Sequence, residues 1–340
     1  MATYDYTETG LGNVLASNGN YSSEEISDIL SVLNQRGVFN AGTIAETLVR
    51  VDTIAPGETE ALDDEVTLYS DAPSGPFTIN TNNHVAIFDT DDNVEATFTS
   101  NGSNAAFSGD GDDVFISTGA ASNDYFSTGN GSNRVNSGNG NDTIISGTGD
   151  DVIDSGSGND RVLAGDGDND IKAGSGNDYV MTGDGNDTIQ GGSGADTIWG
   201  GSGDNRINAG ADNDFVSTGD GADYIDAGSG NDTIIGGGGN DTIIAGSGDD
   251  RITTVSFDNG HSSISGGAGN DLFTHTFSGV NAVDTISGGS GTDTLDLFVN
   301  AGVTYTSSTS GGVTTLTFSD GNKLVVSEIE TINIQTTPPN

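Results

Sequence analysis

Fourteen nine-residue units run without a gap from Thr128 to Thr253. Their second residue is Gly in all fourteen, from Gly129 to Gly246, and their fourth is Gly in thirteen, with Asp212 the exception. The eighth is Ile or Val throughout, and the sixth is Asp in eleven and Asn in three. The overall composition opposes an ordinary globule. The 340 residues include 51 acidic against 8 basic side chains, a formal charge of −43, and only 32% are hydrophobic. So little apolar area does not offset the entropy of ordering a chain. A strict period offers a way out, because stacked units bury their apolar residues on one another while cations neutralise the acidic columns.

Each position has a physical reading. The three residues around the aliphatic one form a short strand, with the aliphatic side chain inward and its neighbours outward. The glycines permit the positive-φ turns of a tight six-residue bend. Carboxylates and turn carbonyls are the hard oxygen ligands that calcium prefers. Two phrases then make one coil of 18 residues, and successive coils stack at about 4.8 Å, the strand spacing.

The phrase, seen in "SGSGNDRVL" (155–163) and "TGDGNDTIQ" (182–190), resembles the calcium-binding nonapeptide repeat of the RTX family. The resemblance is dense over 128–253 and looser over 108–127, 266–274 and 288–296. It implies an all-β fold, a parallel β-roll that is a right-handed β-solenoid, with calcium in the turns. It also implies type I secretion of a chain without a cleaved N-terminal signal. The implied metal residues occupy the sixth position: Asp113, Asn133, Asp142, Asp151, Asp160, Asn169, Asp178, Asp187, Asp196, Asn205, Asp214, Asp223, Asp232, Asp241 and Asp250, then Asp271 and Asp293 in the looser copies. Fourteen turns in two ladders of seven leave six gaps in each, so about 12 calcium ions are expected in the regular roll. The three Asn fall on one ladder, where an amide oxygen can ligate but brings no charge.

Around the roll (108–296, with an insert at 254–265) the pattern changes. Residues 1–60 read as a helical cap or docking segment. "SSEEISDILSVLNQRG" opens with a Ser22-to-Glu25 capping box, sets Ile26, Ile29, Leu30 and Leu33 on one face, and stops at Gly37. "AGTIAETLVRV" reads as a second short helix before Pro56. Residues 61–107 alternate like strands, with Leu68, Phe77, Ile87 and Phe98 as inward candidates, and are expected to extend the solenoid irregularly. Residues 297–340 read as a β cap holding a hairpin with its turn at Asp320–Gly321, a last strand and the export signal that the resemblance implies.

Several function classes lack their residues. There is no cysteine, hence no disulfide or thiolate metal site. The overlapping G-x-G stretches are not followed by a helix, and a Walker loop needs a Gly-Lys pair, whereas the two lysines are Lys172 and Lys323. His84, His261 and His275 lie in no H-E-x-x-H motif, and no G-x-S-x-G elbow occurs. The chain is therefore expected not to be an enzyme. So negative a surface is a poor partner for nucleic acid, and no run of 18 apolar residues suits membrane insertion. "MATYDYTETGLGNVLAS" shows neither a basic n-region nor an apolar h-region, so an extracellular or cell-surface protein would leave the cell by another route, and the resemblance implies that it is the type I route.

The outward positions carry a further signal. On the side of the all-Asp ladder the ninth positions include Ile145, Leu163, Met181, Trp199 and Ile235, with Tyr179 and Phe215 beside them. Apolar strips of this kind mark contact surfaces. The expected function is a secreted structural protein that folds on calcium and assembles with itself into a surface layer, filament or matrix. The alternative is a calcium-dependent adhesin gripping cell-surface glycans.

Overall fold

A computed structural model describes residues 2–4, 49–52, 59–60, 66–69, 76–80, 85–88, 91–120, 122–257 and 259–336. Among these, every regular element is a β-strand. The chain divides into two compact units, Met1–Gly165 and Asp166–Asn340. Each is a parallel β-solenoid whose successive strands alternate between two sheets.

In the first unit one sheet runs through Val49–Asp52, Val66–Tyr69, Val85–Phe88, Ala105–Phe107, Tyr125–Ser127, Thr143–Ile145 and Arg161–Gly165. The other runs through Thr59–Glu60, Phe77–Ile79, Glu95–Phe98, Val114–Ser117, Arg134–Asn136 and Val152–Asp154. Val85 faces Ala105 and Ala105 faces Tyr125, whereas Tyr125 faces Thr143 and Thr143 faces Arg161. The coil therefore tightens from 19 or 20 residues to 18. The core follows the circumference. The wide coils bury Phe88, Phe98, Phe107, Phe115 and Phe126, with Phe98 and Phe126 ring centroids 5.2 Å apart. The tight coils hold one Val or Ile per strand, namely Val135, Ile144, Ile153 and Val162. The described strands among residues 61–107 lie in these two sheets, and Ile87 and Phe98 are fully buried. Leu68 and Phe77 lie on those strands.

The N-terminal helices fare differently. Val49–Asp52, read as the end of the second helix, is a strand paired in parallel with Val66–Tyr69 and antiparallel with Ala2–Tyr4. The β-branched Val49 and Val51 suit a strand, and sheet pairing overrides a weak local helix preference. The Ser22–Gly37 helix and the rest of the second one lie outside the described residues.

In the second unit the same alternation runs from Asp170–Ser175 and Tyr179–Thr182 to Val283–Ser290 and Thr294–Val299. The insert at 254–265 does not interrupt the stack. Thr242 faces Ser263 and Arg251 faces Leu272, so the extra residues widen the coil to 21 and then 22. Strands there reach six to eight residues, and the core again grows, taking in Phe273, Phe277, Leu295, Leu297 and Val299. The last coil carries two antiparallel strand pairs. Val313–Phe318 pairs with Lys323–Ser327 around the expected turn, where Gly321 has φ 93°. It also pairs with Tyr305–Ser310, a strand that the sequence reading did not include. Thr331–Thr336 closes the unit, parallel to Thr294–Val299.

Candidate metal centre

Each turn needs its glycines for two reasons, visible at Gly192 and Gly194. Their φ values are 117° and 106°, which L side chains rarely adopt. A Cβ on Gly192 would also meet the Gly174 carbonyl oxygen at 1.9 Å, and one on Gly194 the Gly176 carbonyl oxygen at 2.1 Å. Asp212, the one departure at the fourth position, holds φ 78° against this preference.

These turns aim the sixth side chain inward. All seventeen residues assigned from the sequence are buried, none exposing more than 3%. Within each unit the Oδ1 atoms of these residues form ladders, accepting the backbone N–H of the residue at the same place one coil earlier. Asp178 N–H donates to Asp196 at 2.8 Å, Asp196 to Asp214 at 2.8 Å, Asp214 to Asp232 at 2.8 Å and Asp232 to Asp250 at 2.8 Å. In the first unit Asp142 donates to Asp160 at 2.8 Å and Asn133 to Asp151 at 2.8 Å. The second carboxylate oxygen is the unusual one. Oδ2 of Asp196, Asp214, Asp232, Asp241 and Asp250 is buried without a hydrogen-bond partner.

A buried carboxylate oxygen without a donor is expensive, and the acidities record that cost. Burial, and then carboxylates such as those one coil away, raise Asp142, Asp196, Asp214, Asp241 and Asp250 to about 7. Burial likewise raises Asp113 and Asp151 to about 6. A stacked series of desolvated, donor-less carboxylates at turns rich in backbone carbonyls is a donor set for a hard divalent cation. Among the described residues no three acidic or histidine side chains converge on one point. A cation in these turns would draw on carboxylates of adjacent coils together with backbone oxygens.

The asparagines differ. Asn133, Asn169 and Asn205 keep the column position, yet their Nδ2 atoms donate to the carbonyls of Gly131, Gly167 and Gly203 in their own turns, at 3.1, 2.9 and 3.0 Å. The amide nitrogen thus satisfies itself within the turn.

Three features escaped the sequence reading. The fifth position forms a second, exposed ladder, in which Asn177 Oδ1 accepts the Ala195 N–H at 2.9 Å and Asn213 Oδ1 accepts the Asn231 N–H at 2.6 Å. Its signal was present, since that position is Asn or Asp in eleven of the fourteen phrases. Asp124, in "GAASNDYFS", and Asp284, in "GVNAVDTIS", are buried sixth-position residues of degenerate phrases. Only the phase of the count could have shown them, because the glycines around them are lost.

The outward strip is present in both units. Met181 and Trp199 sit opposite each other on adjacent strands and are 38% and 39% exposed. The Trp199 ring packs on Phe215 at 5.2 Å, and Tyr179, Phe215 and Ile235 are half-buried beside them. In the first unit Ile145 faces Leu163, both half-buried. Of the histidines, His261 is exposed, with Nδ1 3.2 Å from the Val283 carbonyl oxygen, and His275 is fully buried in the strand Leu272–Phe277. His84 lies outside the described residues.

The RTX calcium-binding nonapeptide repeat (4 copies) matches residues 107–144, 118–153, 145–180, 154–189, 181–216, 217–252, 258–275 and 278–297. No curated protein matches the chain. With the parallel roll, the glycine turns and the buried aspartate series all in the matched region, the chain belongs to the RTX family of calcium-binding nonapeptide repeat proteins.

Proposed function

We propose that this protein is a secreted, non-enzymatic structural protein that folds when calcium fills its turns and then assembles with itself into a surface layer, filament or matrix. The observation that carries the calcium step is the column of donor-less Oδ2 atoms at Asp196, Asp214, Asp232 and Asp250. The sixth-position aspartates are its ligands, and about 12 ions occupy the regular roll. A chain that is unfolded where calcium is scarce and folded where it is abundant suits export before folding. Extracellular modules bind at about 10⁻⁴–10⁻³ M.

Self-association is supported by the strip of Met181, Trp199, Tyr179 and Phe215 in the second unit and of Ile145 and Leu163 in the first. Trp199 is 39% exposed and packs on Phe215, and tryptophan is enriched among the residues that dominate protein contact surfaces. Sedimentation velocity in calcium tests it. The wild-type chain should form large species, and the double change Trp199→Asp and Leu163→Asp should leave a monomer with an unaltered β spectrum. Assembly that survives the double change would remove the strip from the interface. A wild-type monomer that binds glycans in calcium would favour the adhesin reading.

A further inference from the structure

The aspartate ladders do not present the same chemistry along their length. At Asp196, Asp214, Asp232, Asp241 and Asp250 the Oδ2 atom has no donor. At Asp284 the equivalent oxygen accepts a hydrogen bond from the protein. Ser256 Oγ donates to Asp284 Oδ2 at 2.5 Å, and His275 Nε2 lies 3.2 Å from the same oxygen. Asp284 Oδ1 still accepts its ladder bond, from the Ser262 N–H at 2.7 Å. The imidazole is held from its other side, with Nδ1 2.8 Å from Thr254 Oγ1. Nδ1 thus shares a hydrogen bond with Thr254, whereas Nε2 stands in close contact with the carboxylate without a hydrogen bond to it.

The group is fully buried. Asp284 and His275 are 0% exposed, and the Phe277 ring stands edge-on to the imidazole at 4.8 Å and against Phe318 at 5.5 Å. The neighbouring rungs of the same ladder have also lost their carboxylates. Ser262 replaces aspartate and accepts the Asp241 N–H, and Leu324 stands in register with Asp284 on the next strand. A second instance stands in the first unit. There Ser122 Oγ donates to Asp124 Oδ2 at 3.1 Å, while the backbone and side chain of Asn104 both donate to Oδ1.

We infer that Asp284 is a rung that takes no calcium, because Ser256 supplies a donor to Oδ2 and the His275 imidazole stands against the same oxygen where a cation would sit elsewhere, and that the coils around it stay folded when calcium is withdrawn. The wider coil makes this possible. A 22-residue circumference admits an imidazole and two phenyl rings where an 18-residue coil admits one Val or Ile from each strand. His275 is thus an internal counter-group for a ladder carboxylate, and Asp124 with Ser122 is the corresponding closed rung of the first unit.

The inference rests on the calcium reading of the open rungs, and hydrogen exchange on the full-length chain separates the two. In EGTA, amides of 178–190 should exchange like unfolded chain, whereas amides of 262–264 and 283–286 should stay protected. With calcium restored, both sets should be protected. If 178–190 are equally protected with and without calcium, the calcium reading itself is wrong. If 178–190 respond but 262–264 and 283–286 also lose protection in EGTA, the closed rung is wrong. His275→Leu should make protection of 283–286 calcium-dependent. Ser256→Ala, a milder change, should lower that protection in EGTA about ten-fold, the effect of one lost hydrogen bond. Unchanged protection in both variants would overturn the role given to the group.

Discussion

A sixth-position aspartate gives up water on entering its turn and receives one backbone N–H in return. The remainder of that cost appears as carboxyls raised to about 7 at Asp196, Asp214 and Asp250. These groups are ordinary carboxylates in the unfolded chain. Between about pH 4 and 7 the folded, calcium-free chain therefore binds more protons than the unfolded one, and its stability falls as pH rises through that window. Above about 7 both forms are ionised and the loss is complete. Calcium bound at these carboxylates, as proposed, would act in the opposite sense, since binding would expel their protons and be favoured by rising pH. Far-UV circular dichroism in chelator should show more β structure at pH 5 than at pH 8, with the difference removed by saturating calcium. A chelated chain that gains β structure on going from pH 5 to pH 8 would contradict this account.

At the scale of the element, the number of residues per coil selects the core. Coils of 19 to 22 residues enclose phenylalanines, and the 18-residue coils enclose a single Val or Ile from each strand, with small residues such as Ala209, Ala227 and Ala245 filling in behind. Ile198, fully buried in Thr197–Trp199, lies among the tight coils. Ile198→Ala should cost about 2–4 kcal/mol through lost burial and a cavity that the rigid stack cannot close. Ile198→Phe should also destabilise, by about 1–3 kcal/mol, because the tight coil has no room for a ring. Thermal melts in calcium measure both. A stabilising Ile198→Phe would show that circumference does not limit the core.

For the whole molecule the governing quantity is charge. A chain of −43 with two columns of carboxylates repeating at the strand spacing opposes its own stacking. Like charges about 4 Å apart repel by about 1 kcal/mol in water, and by about 4 kcal/mol at the effective dielectric of a protein surface. One aliphatic side chain per strand offsets little of that. About 12 divalent ions would bring the formal charge to about −19 and place attraction where repulsion stood. Chelation should therefore abolish most of the β signal, with the coils of 128–253 lost together. Magnesium at the same concentration should not restore it, since that smaller ion demands a near-ideal octahedron and gives up water reluctantly. A full β spectrum in EGTA would show that the columns do not govern folding.

The parts of this protein legible in its sequence are those decided by one residue at one place in the phrase. A glycine where φ is positive, an inward isoleucine and a sixth-position aspartate each meet a local requirement, so fourteen repetitions made the roll and its acidic columns readable. The hairpin turn at Gly321 was readable for the same reason. What depended on neighbouring coils was not. Val49–Asp52 is a strand because Val66–Tyr69 offers it an edge, and Tyr305–Ser310 because Val313–Phe318 does. The amide that holds Asp214 Oδ1 comes from Asp196, 18 positions away, and the hydroxyl that closes Asp284 from Ser256, 28 positions away. Whether a buried carboxylate stands open to a cation or is closed by the protein is decided only when coils of a given width are stacked, because width determines which side chains can reach it.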